Sequence, residues 1–231
     1  MKQNENYFEP AYTTSLQRHA ARTFGWMTIG LLVTTVVAML VTFTGTFDFI
    51  FSIPMLPIVM IVAQLGLVFA LAGRIMKMSP TSAKILFLLY SALTGITFSV
   101  LGLVYSVGTL ALAFLVTTVY FGSLAVIGLT TKMNLLKLGP ILIGALFALI
   151  ITQIVMMFLN VSTDTMLFSA IGLLIFTGIT AYDAQKMKAL YMQYEQDELA
   201  LHRLSIYSAF DLYLDFINIF LYILRFLGNR D

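Results

Sequence analysis

Residues 204–224 read LSIYSAFDLYLDFINIFLYIL, a segment long enough and apolar enough to form a helix across a membrane. Polar side chains recur along it, and just beyond its end, at spacings of 3, 4, 3, 4 and 3 residues, which places them on one stripe of an α-helix. They are Ser208, Asp211, Asp215, Asn218, Tyr222 and Arg225. We therefore expect this helix to lie in a bundle, with its stripe facing other helices or a water-filled cavity rather than lipid.

The rest of the chain has the composition of an integral membrane protein. Of its 231 residues, 60% are hydrophobic and 10% are charged, and the mean hydropathy is +0.94. Soluble proteins average about 45–50% apolar and about 25% charged residues. The lipid bilayer is therefore the expected partner, and no nucleic-acid partner is expected. The chain has no cysteine, and His19 and His202 lie outside the apolar segments, so we expect no zinc or haem cofactor.

Seven segments reach the length of about 20 mostly apolar residues that a helix needs to cross the hydrocarbon core. They cover approximately residues 24–43, 53–72, 85–105, 110–130, 138–159, 166–182 and 204–224. The predicted fold is an all-α integral membrane protein, a seven-transmembrane-helix bundle over residues 23–228 with the last helix central. Residues 1–22 are predicted to form a polar cytoplasmic tail, and residues 229–231 the C-terminal end.

The distribution of Lys and Arg predicts the orientation, because cytoplasmic loops retain positive charge. One predicted side collects Lys2, Arg18, Arg22, Arg74, Lys77, Lys84, Lys132, Lys137, Lys186, Lys188 and Arg203. The other side collects Arg225 and Arg230. This pattern indicates a multi-pass plasma (inner) membrane protein with a cytoplasmic N-terminus. Seven spans would leave the C-terminus outside, whereas six spans and a re-entrant last segment would keep it inside, and the sequence leaves both open.

Small and polar residues within the apolar segments indicate where helices pack. Ser91, Gly95 and Ser99 recur at intervals of four in the third segment, a pattern that predicts a close helix–helix seam. Gln64 and Gln153 are isolated polar residues in the second and fifth segments. We interpret both as interhelical hydrogen-bonding groups rather than as parts of a transport pathway.

Asp183 ends the sixth segment and adds a third carboxyl group to Asp211 and Asp215. The sixth helix would end on the side where the seventh begins, so a contact between Asp183 and one of the other two is geometrically reasonable. A carboxylate in the membrane costs about 2.5–3.5 kcal/mol on insertion scales, so it needs a partner, a proton or a function. A close pair would share a proton and could sense pH, or could bind Ca²⁺ when ionised. The alternative is a structural pair neutralised by Arg74 or Arg225.

The sequence LYLDFINIF at residues 212–220, followed by Leu224-Arg225, resembles the C-terminal signature of the transmembrane Bax inhibitor motif family. Other features that agree are Tyr182-Asp183 with Gln185 and Lys186, residues 91–97, and about seven spans with little soluble mass. The resemblance covers approximately residues 23–228.

This resemblance implies a bundle around the last helix that acts as a pH-dependent calcium leak or channel, with Ca²⁺ as the transported or bound ion. It implies that Asp215 pairs with Asp183 and that Arg74 competes for the pair. Asp211 departs from the family pattern, and it could bind a cation or shift the titration of the pair. Bacterial relatives are also linked to restraint of a membrane-bound AAA protease.

Two functional hypotheses result. The first is a pathway for Ca²⁺ gated by protons at Asp183 and Asp215. The second is a non-transporting regulatory protein whose N-terminal tail binds a partner such as a membrane-bound AAA protease. We do not expect an enzyme. An intramembrane aspartyl protease is disfavoured because Tyr213-Leu214, rather than Gly-x-Gly, precedes Asp215, and a retinal protein is disfavoured because the last helix has no lysine.

Overall fold

The computed structural model describes residues 8–159 and 165–228. The predictions that involve Lys2, Arg230 and residues 229–231 lie outside this part of the chain. Within it, the residues form α-helices and two short 3₁₀ helices, Ile75–Lys77 and Leu135–Leu138, and no β-strand. The α-helices are α1 (Phe8–Phe43), α2 (Thr46–Phe51), α3 (Leu56–Arg74), α4 (Pro80–Phe98), α5 (Leu101–Val104), α6 (Val107–Thr130), α7 (Gly139–Phe158), α8 (Met166–Tyr194) and α9 (Glu198–Leu227).

Six helices among the described residues are long and apolar enough to cross a membrane. They are Ser15–Phe43, Leu56–Lys77, Pro80–Val104, Val107–Thr130, Leu135–Met156 and Met166–Tyr194, which overlap the first six predicted spans. The predicted seventh span lies in α9, a helix of 30 residues that is not one of the six. The all-α fold is therefore confirmed over the described residues, and a total of seven spans stays a prediction.

Several helices begin at residues whose side chains satisfy the free backbone N–H groups of a first turn. Ser79 Oγ accepts a hydrogen bond from the Ser82 N–H at 3.0 Å, and Pro80 occupies the first position of α4, where no N–H partner is needed. Asp197 Oδ1 accepts a hydrogen bond from the Ala200 N–H at 2.9 Å at the start of α9. The N-terminal helix α1 begins at Phe8, so most of the predicted polar tail is helical.

The described chain divides into two compact units, and the first comprises residues up to 99 together with residues 187–210. In this unit α1 packs against α4. Thr34 Oγ1 donates a hydrogen bond to the Ser91 carbonyl at 3.0 Å, and the backbone of α1 approaches Gly95 so closely that an added Cβ would overlap it. The predicted small-residue seam is confirmed. Gln64 Nε2 donates to Thr94 Oγ1 at 3.3 Å, so its predicted interhelical hydrogen bond is confirmed as well.

The second unit comprises residues 100–186 and the chain from residue 211 onward. Helix α6 approaches α8 closely at Gly128, where an added Cβ would overlap the Ala181 carbonyl group. The ring of Phe216 on α9 packs edge-on against Phe121 of α6, with 5.5 Å between ring centres. Glycine and aromatic packing thus bring α6, α8 and α9 together within this unit.

Burial distinguishes α9 from the other long helices. Every residue from 200 to 225 is buried or half-buried, whereas α7 exposes most of its large apolar side chains. A helix that exposes Ile, Leu and Phe in this way is suited to contact with lipid. The polar stripe of α9 is therefore shielded, as its sequence predicts.

Candidate functional site

Three carboxyl groups lie together in the second unit. Asp183 is on α8, and Asp211 and Asp215 are on the same face of α9, one helical turn apart. Asp183 is 8% exposed and Asp215 is 3% exposed, and Asp211 is half-buried. Asp215 lies close enough to the other two carboxyl groups for electrostatic interaction with both, and Asp183 interacts with Asp211 in the same way. The structure thus brings together all three acidic residues that the sequence singled out.

The ammonium group of Lys186 bridges the two helices at this point. Lys186 Nζ lies 2.8 Å from Asp211 Oδ2 and 3.2 Å from Asp183 Oδ1. The lysine follows Asp183 by three residues on α8, a spacing that brings the two side chains onto one face. That spacing was the available sequence signal, but the counter-charges predicted from the sequence were arginines. Lys186 is therefore a member of the cluster that sequence reasoning missed.

Asp215 is the most deeply buried of the three acids. Thr180 on α8 lies beside its carboxyl group, and the Thr180 hydroxyl donates its hydrogen bond to the Phe176 carbonyl of α8 at 2.8 Å. Its Oδ2 atom is buried and, within the described part of the chain, has no hydrogen-bond partner. A buried polar atom without a partner costs about 1–3 kcal/mol, and more if it is charged. A proton or a cation at this oxygen would remove that cost.

The two arginines predicted as counter-charges are Arg74 and Arg225. Arg74 is an exposed residue of the first unit, and its competing role stays a prediction. Arg225 follows Asp215 by ten residues, which is about 15 Å along the axis of α9. Its guanidinium carbon lies 5.7 Å from the centre of the Tyr222 ring, a cation–π contact. Lys186 is thus the cation that the structure places against Asp183 and Asp211.

The remaining residues of the stripe contribute to packing. The Tyr222 hydroxyl group is hydrogen-bonded to Gln153 of α7, which confirms the predicted interhelical role of that glutamine. Asn218 Nδ2 donates to the Leu214 carbonyl of its own helix at 2.7 Å. Ser208 is buried within the first unit. The stripe therefore carries its acidic groups at Asp211 and Asp215, while Tyr222 makes the contact with another helix.

The acidic cluster is not a complete metal site as it stands. Over residues 8–159 and 165–228, no three or more His, Asp or Glu side chains are grouped so that they could hold a metal ion. Ca²⁺ usually takes six to eight oxygen ligands, so Asp183 and Asp215 would need water or backbone oxygens to complete its coordination. The predicted Ca²⁺ site at these two residues stays a prediction.

Comparisons with known proteins identify one family and several bacterial relatives. The family model described as "Inhibitor of apoptosis-promoting Bax1" (Bax1-I) matches residues 16–231. The inner membrane protein YbhL of Escherichia coli K12 is 40% identical over 217 residues, which cover 93% of each chain. An uncharacterized protein of Borreliella burgdorferi is 42% identical over 211 residues, or 91% of each chain. The uncharacterized protein RP147 of Rickettsia prowazekii is 35% identical over 220 residues, or 95% of this chain and 92% of that one.

Proposed function

Because the chain belongs to the Bax1-I family of Bax inhibitor-1-like membrane proteins, we propose that it is an inner-membrane pathway for Ca²⁺ that is gated by protons at Asp183 and Asp215. The observation that carries the proposal is the cluster of buried carboxyl groups, in which Asp215 Oδ2 has no hydrogen-bond partner among the described residues. Acidic residues inside a membrane are costly, and where they persist they mark ion pathways and proton relays.

The proposed topology has seven spans, with α9 as the seventh and central helix and with the N-terminus in the cytoplasm. The 30 residues of α9 extend about 45 Å, which exceeds the hydrocarbon thickness of about 30 Å. The burial of residues 200–225 supports a position away from lipid. The excess of Lys and Arg on one predicted side supports the orientation.

The proposed gate works through charge. When Asp183 and Asp215 are ionised, they repel each other and attract cations, and when one is protonated the repulsion falls. Because Asp183 is on α8 and Asp215 is on α9, a change in their repulsion shifts the balance between two packings of these helices. The pH thereby sets the fraction of molecules that conduct Ca²⁺.

The test is Ca²⁺ uptake into proteoliposomes, measured with a fluorescent indicator over a range of pH. The wild-type flux should vary with pH, and Asp183→Asn and Asp215→Asn should each remove most of this variation because asparagine cannot ionise. Asp48→Asn removes an exposed acidic group and serves as the matched control. Flux with an unchanged pH profile in both cluster variants would reject the gate.

A second function is supported by the length of α1. Its 36 residues extend about 54 Å, well beyond the hydrocarbon thickness, and Gln17, Arg18 and Arg22 near its start are exposed. These turns could bind a regulatory partner such as a membrane-bound AAA protease. In that case the protease should copurify with the full chain and be lost when residues 1–22 are deleted, and reconstituted protein should give no flux above that of empty vesicles.

A further inference from the structure

The contacts of Lys186 hold a positive charge at the centre of the acidic cluster. Its ammonium group bonds to Asp211 Oδ2 at 2.8 Å and to Asp183 Oδ1 at 3.2 Å, and it lies 5.9 Å from the centre of the Tyr182 ring. Two carboxylate oxygens and an aromatic face are groups that bind a cation. The ammonium group of Lys186 therefore fills a position that is suited to bind a cation from solution.

We propose that Lys186 is a built-in competitor for this position, and that a divalent cation binds Asp183 and Asp211 only after displacing the ammonium group. Asp211 then has a specific task, which is to hold Lys186 in place when no cation is bound. The inference deepens the proposed function, on which it rests in taking these carboxyl groups as part of the Ca²⁺ pathway.

The charges of the cluster favour such an exchange. The Lys186 ammonium group contacts two of the three carboxyl groups, and the third, Asp215, is buried with an oxygen that has no hydrogen-bond partner in the described chain. One ammonium group cannot neutralise three carboxylates, whereas a divalent cation brings a second positive charge. The buried, unpartnered oxygen of Asp215 is thus an independent sign that the cluster can accept more positive charge.

Lys186 also has a route by which it can leave. Its side chain is 25% exposed, compared with 10% for Asp183 and 18% for Asp211. A lysine has a flexible four-carbon stem, and its ammonium group is readily hydrated. The ammonium group therefore has more room to move away than the carboxylates, which are more buried and stay in place.

The first test is Ca²⁺ binding to the full chain in detergent, measured by equilibrium dialysis with radioactive Ca²⁺. Lys186→Gln should tighten binding by about tenfold or more, because a hydrogen bond to a charged group is worth at least about that factor in an equilibrium constant. Lys186→Arg should stay near the wild-type affinity, since it keeps the positive charge. Lys132→Gln, an exposed lysine of the same unit, is the matched control.

The second test uses the wild-type chain and so does not depend on how a variant folds. Ca²⁺ should raise the rate at which an amine-reactive reagent labels Lys186, followed by mass spectrometry, at least severalfold relative to Lys132. The proposal is overturned if Ca²⁺ leaves this rate unchanged. It is also overturned if Lys186→Gln binds Ca²⁺ as the wild type does, or if Lys132→Gln tightens binding equally.

These measurements separate the inference from the proposed function because neither of them requires transport. Tighter Ca²⁺ binding by Lys186→Gln together with no Ca²⁺ flux in vesicles would support the competing role of Lys186 and reject the Ca²⁺ pathway. A Ca²⁺ flux that varies with pH would support the pathway. If Lys186→Gln also left Ca²⁺ binding unchanged, and Ca²⁺ left the labelling of Lys186 unchanged, the competing role of Lys186 would be rejected.

Discussion

Gly128 on α6 is the position where a small change should most directly loosen the helix that carries Asp183. A Cβ at residue 128 would overlap the Ala181 carbonyl oxygen and lie 2.8 Å from the Ala184 Cβ. Neither neighbour is the end of a flexible side chain, so α6 and α8 must separate to make room. Gly128→Ala should therefore destabilise the second unit.

The magnitude follows from comparison with Gly122→Ala on the same helix. Apart from its chain neighbours and the nearby backbone of α6, no heavy atom of the described residues lies within 4 Å of a Cβ at residue 122. Both substitutions gain the same helix propensity, about 0.8–1 kcal/mol in water, so this contribution cancels in their difference. What remains is the cost of overpacking, about 1–3 kcal/mol. In a chain of this size it should lower the Tm of Gly128→Ala by about 2–12 °C relative to Gly122→Ala.

The assay is thermal unfolding of both variants in the same detergent, followed by circular dichroism. Because Asp183 lies two residues beyond Ala181, the pH dependence of Ca²⁺ flux should also change in Gly128→Ala and not in Gly122→Ala. Equal Tm values for the two variants would refute the reasoning, since they would mean that α6 and α8 do not approach each other at Gly128.

Two further predictions concern the stability of other contacts, and both are measured by unfolding in detergent. Thr34→Val keeps the shape of the side chain and removes its hydrogen bond to the Ser91 carbonyl, so it should lower the free energy of unfolding by about 0.5–1.5 kcal/mol. Thr35→Val, at an exposed position, should lower it by less. Equal costs would mean that the interhelical bond adds no stability. Asp197→Ala removes the N-terminal cap of α9 and should lower the free energy of unfolding by about 1 kcal/mol. Glu195→Ala, at a nearby exposed position, should change it little. A smaller effect at 197 than at 195 would contradict the capping role.

Features that depend on neighbouring residues of one helix were predictable from the sequence. The spacing of Ser91, Gly95 and Ser99 predicted a close seam because small residues at intervals of four lie on one face of any α-helix. The same reasoning put Asp211 and Asp215 on one stripe, and the apolar segments located the long helices. These properties follow from helix geometry, whichever helices pack together.

The sequence alone did not determine which cation faces the acidic groups. It offered Arg74 and Arg225 as counter-charges, and the structure places Lys186 against Asp183 and Asp211. Helix α8 continues to Tyr194, beyond the predicted end of the sixth span at residue 182, so Lys186 stays on the helical face of Asp183.

The sequence thus determined the helices, the stripe on the last helix and the acidic residues, because each depends on local periodicity and composition. Only the tertiary structure decided the ion pair between α8 and α9. A pair such as Lys186 and Asp211 joins residues that are distant in sequence, and it forms only where two helices pack in one register and a flexible side chain can span the gap.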